Sequence, residues 1–397
     1  MTRSRIVTVL SSVFIFLLCV LLPACLNAEE IIDNDFEYSL DIPEGYKVAG
    51  YTPDGMSYQF KHSFMPVELV LKLYNTEVFP DSKKALEGAL SKLGAKYDEI
   101  DTFVWRNAAC AIAIFDSNLI MKDGATGWSV AVTLPEKNYN LVLLCYADSA
   151  KANDCEQFIL STLNSLCIDK GSKYNPGIIT TYAYPATSSK TVNLNIAGKR
   201  ITATMDADDS DANNFIIDCE FAVLKLYANH EKWKEAWTRY YKTIYRDSYS
   251  RLEKAAFEIN AALYPLAVRK NPKNAEEELN AMLLTWVQSF DYKRGNKTSS
   301  DFTSVVDSIA GIGSDCDSRS MLMCILLRHN GIKTELFVSR EYSHAVYGAD
   351  ILTNGAKINV DGTDYLLGET TVKNLKPGLI AQEQSDTEKW IPIRLDN

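Results

Sequence analysis

Histidine is scarce in this chain, with 4 among 397 residues, and cysteine pairs at metal-ligand spacing are missing. Without a CxxC or a Cys/His cluster, zinc is not expected and no cofactor is called for. The acidic run Asp206-Ala-Asp208-Asp209-Ser-Asp211 invites a calcium reading. It has Asp211 where an EF-hand loop needs Gly and Ile217 where it needs the closing Glu, so it reads as a solvated loop that caps the next helix. No low-complexity stretch interrupts the chain, and no unit recurs at the spacing of solenoid repeats. Positive charge is also in short supply. Lys and Arg number 41 against 51 Asp and Glu, a net charge of −10, which argues against bulk-charge binding to nucleic acid or to an anionic membrane face.

What is present fits ordinary globular material, 47% hydrophobic and 23% charged, in a chain long enough for two or three cores. The first residues, Met1-Thr-Arg3-Ser-Arg5, precede an apolar run from Ile6 to Leu22 and small residues near Ala24 to Ala28. This pattern is that of a secretory signal, with a retained membrane anchor as the second reading. Leu22-Pro23-Ala24-Cys25 resembles a bacterial lipobox, in which Cys25 would carry lipid. The expected destination is therefore outside the cytoplasm: periplasmic, lipid-anchored or secreted. Loss of residues 1–28 removes Arg3 and Arg5 and leaves a net charge of −12, from −10.

Seven cysteines remain after Cys19 and Cys25: Cys110, Cys145, Cys155, Cys167, Cys219, Cys316 and Cys324. An odd number leaves at least one free thiol, and Cys316 is the first choice for it. Cys145 and Cys324 lie in apolar runs and read as small buried hydrophobes.

The spacing of apolar residues divides the chain into 29–168, 169–213 and 214–397. In the first part, Phe36–Pro43, Met56–Phe60, Val67–Leu73, Thr102–Phe115, Trp128–Val132 and Asn140–Cys145 read as strands. Asp81–Leu93 and Cys155–Leu166 read as helices. That order predicts an antiparallel sheet covered by helices, an α+β architecture. Residues 169–185 read as a linker, and Val192–Thr204 as a hairpin about Gly198. From Asn214 to Val268 the chain reads as helical, with Trp233, Trp237, Tyr240, Tyr241 and Tyr245 on one face, a stripe that reads as core.

The chemistry is concentrated in the last part. Cys316 stands in Gly313-Ser314-Asp315-Cys316-Asp317-Ser318-Arg319, ahead of the apolar run Met321-Leu-Met-Cys-Ile-Leu-Leu-Arg328, and so at the start of a helix that Asn330-Gly331 ends. Unpaired N–H groups and the helix dipole at that position favour a thiolate. His344 opens a strand-like stretch running to Ile351. Lys357–Val360 and Thr363–Leu367 form two more strands about the Asp361-Gly362 turn, and Glu369 follows them. Cys, His and carboxylate in this order are the parts of an activated-thiol acyl-transfer site. Asp361 and Asp364 are the rival acids. Asp317 is expected to complete a capping box with Ser314, and His329 to cap the helix end as a cation.

At these residues the chain resembles the transglutaminase-like cysteine superfamily over roughly 215–375. Ser314-Asp315-Cys316, His344-Ala345-Val346 and Glu369-Thr370-Thr371 take the places of that family's Gly-Asp-Cys helix start, strand His and Asp-Pro-Thr, with Ser for Gly and Glu-Thr for Asp-Pro. Trp286-Val-Gln288-Ser-Phe-Asp-Tyr292 looks like the segment preceding the nucleophile in some bacterial members. The resemblance implies a papain-like catalytic domain with a helical lead-in, in which Cys316 attacks an acyl carbonyl. His344 moves the proton, Glu369 orients the ring, and the Cys316 N–H with Gln288 holds the oxyanion. It implies a protein or peptide substrate, with water as acceptor in a hydrolase and an amine as acceptor in a crosslinking enzyme. The departures at Ser314 and Glu369 leave open a silent scaffold that uses the same fold for binding. The opening strand followed by Ile42-Pro-Glu-Gly-Tyr46 resembles the PsbP-like α/β/α domains and brings no catalytic residues with it.

Overall fold

The structure, a computed structural model, describes residues 30–294 and 300–395. The expected leader with Cys25 lies outside these residues, as do positions 295–299 of the polar loop before Cys316. Among the described residues no helix is long and apolar enough to cross a membrane.

The first part begins with strands β1 (Glu30–Asp33), β2 (Tyr38–Asp41), β3 (Tyr46–Tyr51), β4 (Ser57–His62) and β5 (Val67–Asn75), then helix α1 (Ser82–Lys92). Strands β6 (Asp101–Trp105), β7 (Ala108–Ser117), β8 (Ala125–Thr133) and β9 (Tyr139–Asp148) follow, and helix α2 (Ala152–Asn164) and strand β10 (Leu166–Cys167) complete it. Seven strands form one antiparallel sheet in the order β3-β4-β5-β9-β8-β7-β6. Strand β9 shows why the fold has three layers. Leu141, Leu143, Cys145 and Ala147 point into the core shared with α2, while Val142, Leu144 and Tyr146 point into the core under α1. A strand that is apolar at every position from 141 to 147, with side chains alternating between two faces, must be covered on both.

The expected strand over Thr102–Phe115 is two strands. Arg106 and Asn107 adopt φ of 52° and 61° and turn the chain between β6 and β7. Residues 169–185 are not an open linker. They hold a 3-10 turn, Lys170–Tyr174, and helix α3 (Ile178–Ala183), whose Ile178 and Ile179 are buried in the core beneath α2.

The hairpin follows as β11 (Ser189–Ile196) and β12 (Lys199–Asp206), paired from Ser189↔Asp206 to Ile196↔Lys199. Helices α4 (Asp209–Leu226), α5 (Trp233–Tyr249) and α6 (Glu253–Lys270) account for the long helical stretch, and α7 (Ala275–Val287) precedes the site. Buried Arg239 of α5 clamps this bundle to the first part. It meets the Glu220 carboxylate at 2.6 Å, donates from Nε to the Asp41 carbonyl at 2.8 Å, and reaches Ser161 Oγ at 2.9 Å.

The last part holds the short helix α8 (Val305–Ile309), helix α9 (Cys316–Arg328), and strands β13 (Thr334–Ser339), β14 (His344–Ala349), β15 (Lys357–Val360), β16 (Thr363–Gly368) and β17 (Ile391–Ile393). The five strands form an antiparallel sheet in the order β15-β16-β14-β13-β17. The β15–β16 turn is Asp361-Gly362, with φ of 50° and 87°. Helix α9 packs its apolar face, including Leu322, Ile325 and Leu326, onto β13 and β14. This packing sets the start of α9 beside the start of β14.

Candidate functional site

The loop before α9 is tied at both sides. Ser314 N donates to the Asp291 carbonyl at 3.0 Å, and Lys293 N donates to the Ser314 carbonyl at 3.1 Å. Of the two adjacent capping residues, Asp315 takes the role. It has extended backbone, and its Oδ1 accepts from Ser318 N at 3.0 Å and Ser318 Oγ at 2.7 Å. The expected capping box between Ser314 and Asp317 is therefore absent, and Ser314 Oγ accepts instead from Arg319 Nε at 3.2 Å. The Cys316 N–H falls in the first turn, ahead of the first intrahelical bond from Arg319 N to the Asp315 carbonyl, so it can serve an oxyanion.

Cys316 is 2% exposed. The first turn of α9 lies against the start of β14, where Ser320 Oγ donates to the carbonyl of Ala345, the residue after His344, at 3.3 Å. His344 Nε2 meets Glu369 Oε2 at 2.6 Å. Because the carboxylate accepts there, Nε2 carries the proton and Nδ1 is the nitrogen left for proton exchange. The second Glu369 oxygen accepts from Thr371 N at 2.7 Å and Thr371 Oγ1 at 2.6 Å. Burial pushes the Glu369 carboxyl up, but the hydrogen bonds from His344 and Thr371 outweigh it and hold the group below its usual range. The rival acids stand elsewhere: Asp361 pairs with Arg394 at 2.7 Å, and Asp364 accepts from Asn359 at 2.6 Å, both at the surface.

Gln288 does not face the thiol as an oxyanion donor. Its side chain is buried, and its Nε2 donates to the Glu369 carbonyl at 2.8 Å and the Leu375 carbonyl at 2.9 Å. Both amide hydrogens are thus used to brace the loop that carries Glu369. Arg319 completes the brace. Its guanidinium is buried and reaches the Phe290 carbonyl at 2.9 Å and the Thr370 carbonyl at 3.3 Å, and it lies 5.5 Å from the Tyr292 ring centre. Three segments therefore share one fixed cation: the start of α9, the residues after α7, and the Glu369 loop.

The electrostatics reverse one expectation. The helix start alone favours a thiolate, yet burial, the carboxyls of Asp317 and Asp315, and a hydrogen bond from the thiol to Asp317 Oδ1 at 3.2 Å all push the Cys316 thiol well above its ordinary range. Asp317 Oδ2 in turn accepts from Tyr241 Oη at 2.5 Å. Burial and the neighbouring Asp317 push Asp315 up to about 7, and burial also raises Asp317. Two carboxyls this close share their protons as a pair. His329 differs as well. Its Nε2 pairs with the Tyr249 carbonyl at 2.9 Å, and burial lowers its proton affinity, so it ends α9 without serving as a cation.

All seven described cysteines are free and buried, and the described residues contain no group of His, Cys, Asp and Glu arranged to hold a metal ion. The Asp317–Tyr241 contact and the Arg319 clamp carried no local signal in the sequence beyond adjacency to Cys316, because their partners lie far off along the chain.

No protein-family model matches the chain, and no curated protein sequence matches it either. Among solved structures, the Ran-binding protein Mog1p of Saccharomyces cerevisiae aligns over 36% of this chain and 95% of its own, at 11% identity and a TM-score of 0.28. Cyanobacterial PsbP from Synechocystis aligns over 36% and 94%, at 7% identity and a TM-score of 0.31. Red sea bream transglutaminase aligns over 82% of this chain and 49% of its own, at 10% identity and a TM-score of 0.19. The chain's own elements make it a mixed α and β protein built on antiparallel sheets, and its likeness to these solved structures is weak.

Proposed function

We propose that this chain is an exported, transglutaminase-like cysteine hydrolase that cleaves peptide or isopeptide amides through an acyl-thioester. The observation that carries the reading is the 2.6 Å contact between His344 Nε2 and a doubly braced Glu369, at the start of the strand against which the first turn of α9, headed by Cys316, is packed. His344 Nδ1 takes the thiol proton as sulfur attacks the carbonyl, and the Cys316 N–H meets the developing oxyanion. His344 then returns the proton to the departing amine. Water attacks the thioester with His344 again as base, releasing the acid and restoring the thiol. Export, by way of residues 1–28 with or without lipid on Cys25, belongs to the same proposal.

A binding scaffold is the second reading, favoured by a resting thiol that burial, with Asp317 and Asp315 beside it, pushes toward the protonated form. The test is mass spectrometry of a peptide pool incubated with the mature chain, with and without a primary amine. Hydrolysis predicts free acids that disappear in Cys316→Ala. Amine adducts without acid would assign crosslinking, and no change in the pool would support the scaffold.

A further inference from the structure

A trough runs outward from His344. Its inner section, about 230 Å³, is lined by Asp317, Ser343, His344 and Tyr241 together with Phe221 and Trp237. An adjoining section, about 240 Å³, continues between Phe221, Leu224, Trp237 and Trp233. Phe221, Leu224, Trp237 and Arg340 border both sections, so the two adjoin across these residues. The aromatic stripe of α5 therefore divides its labour. Tyr240, Tyr241 and Tyr245 are buried in the core, whereas Trp233 and Trp237 are half-buried and form a wall. Two cations stand at the outer section. Arg340 lies 4.9 Å from the Trp233 ring centre and Lys225 lies 5.0 Å from that of Phe221. Among the described residues no carboxylate forms an ion pair with either.

We propose that this trough takes a polypeptide segment with one large apolar side chain, seated on Phe221, Leu224 and Trp237, and a neighbouring carboxylate that meets Arg340 and Lys225. The apolar wall offers half-buried rings that a side chain would cover, and the two cations set the sign of the adjacent group. The polar inner end, lined by Asp317, Ser343 and His344, suits a backbone amide. The scissile bond at its inner end rests on the hydrolase reading; the binding preference does not.

The test uses the mature chain carrying Cys316→Ala and four fluorescent hexapeptides, Gly-Gly-X-Z-Gly-Gly, with Leu or Ala at X and Glu or Lys at Z, read by anisotropy. The Leu-Glu peptide is expected to bind about tenfold tighter than Ala-Glu and several-fold tighter than Leu-Lys. Arg340→Glu, at an exposed position that leaves the core untouched, cancels the charge of Lys225 and is expected to abolish the Glu/Lys preference. Equal affinities across the set, no effect of Arg340→Glu, or binding to anionic phosphatidylglycerol vesicles in place of the peptides would overturn the proposal. If the peptides bind as expected while Cys316 of the unmodified chain proves inert, the hydrolase reading fails and the trough stands. If the thiol is His344-dependent but the peptides bind alike, the reverse holds.

Discussion

Replacing Asp317 by Asn should make Cys316 more reactive, although it alters a side chain directly beside the nucleophile. In the resting structure the thiol donates to Asp317 Oδ1 at 3.2 Å, so forming the thiolate places two negative charges at that distance. At an effective dielectric constant of about 20, such a pair repels by about 5 kcal/mol. Asp317 is half-buried and shares its charge with Asp315, which is pushed up to about 7, so solvent screening and partial protonation cut the repulsion to roughly 2 kcal/mol. Since 1.4 kcal/mol corresponds to about tenfold, Asp317→Asn should raise the rate of iodoacetamide labelling at pH 7 by at least about tenfold. The Asn carbonyl can still accept from Tyr241, which preserves the contact to α5. The assay is peptide mapping of Cys316 alkylation over time, with circular dichroism as the control for folding. A rate equal to or below that of the wild type would refute the view that Asp317 holds the thiol protonated.

Glu44 offers a test of the junction between the first part and the helices. It is 1% exposed, and burial raises its carboxyl to about 8. The folded state therefore binds a proton that the unfolded state releases near the ordinary value of about 4.5, and stability contributed by this group falls as pH rises from about 5 to 8. Glu44→Gln should flatten that decline, with a gain over wild type on the order of 4 kcal/mol above pH 8 and little at pH 4, measured by denaturant titration. Gln288→Ala should cost about 2 kcal/mol of stability by leaving buried carbonyls unpaired. Because Gln288 acts through the Glu369 loop, its effect on alkylation should largely vanish in a Glu369→Ala background; equal effects in both backgrounds would exclude that coupling.

The strands and helices that carry the site were legible because their patterns are local. The Asp361-Gly362 pair demands positive φ at both positions and so announced the β15–β16 turn. The apolar run after Cys316 announced α9, and Gly331, at a φ of 79°, marked its end. Strand β17 was not legible: it is three residues long and gains its order by pairing with Leu336, Phe337 and Val338, far away in the chain. The cap of α9 was ambiguous, since Ser314 and Asp315 have equivalent capping chemistry. It was decided by Arg319, which takes the Ser314 oxygen from the other side. Gln288 was singled out for its place before the nucleophile, but a sequence does not tell which carbonyls claim an amide. The thiol's environment was misread for a related reason. A helix start favours a thiolate in general, whereas the adjacent carboxyls of Asp315 and Asp317 become decisive only once both are folded out of bulk water.

The most direct measurement of the central claim is the pH profile of Cys316 alkylation in the wild type and in His344→Ala. If His344 exchanges the thiol proton under the hold of Glu369, the wild type labels measurably at neutral pH, and His344→Ala is slower there by about tenfold or more and recovers only at alkaline pH. Superimposable profiles would contradict the account, because the histidine and the thiol would then share a neighbourhood without sharing a proton.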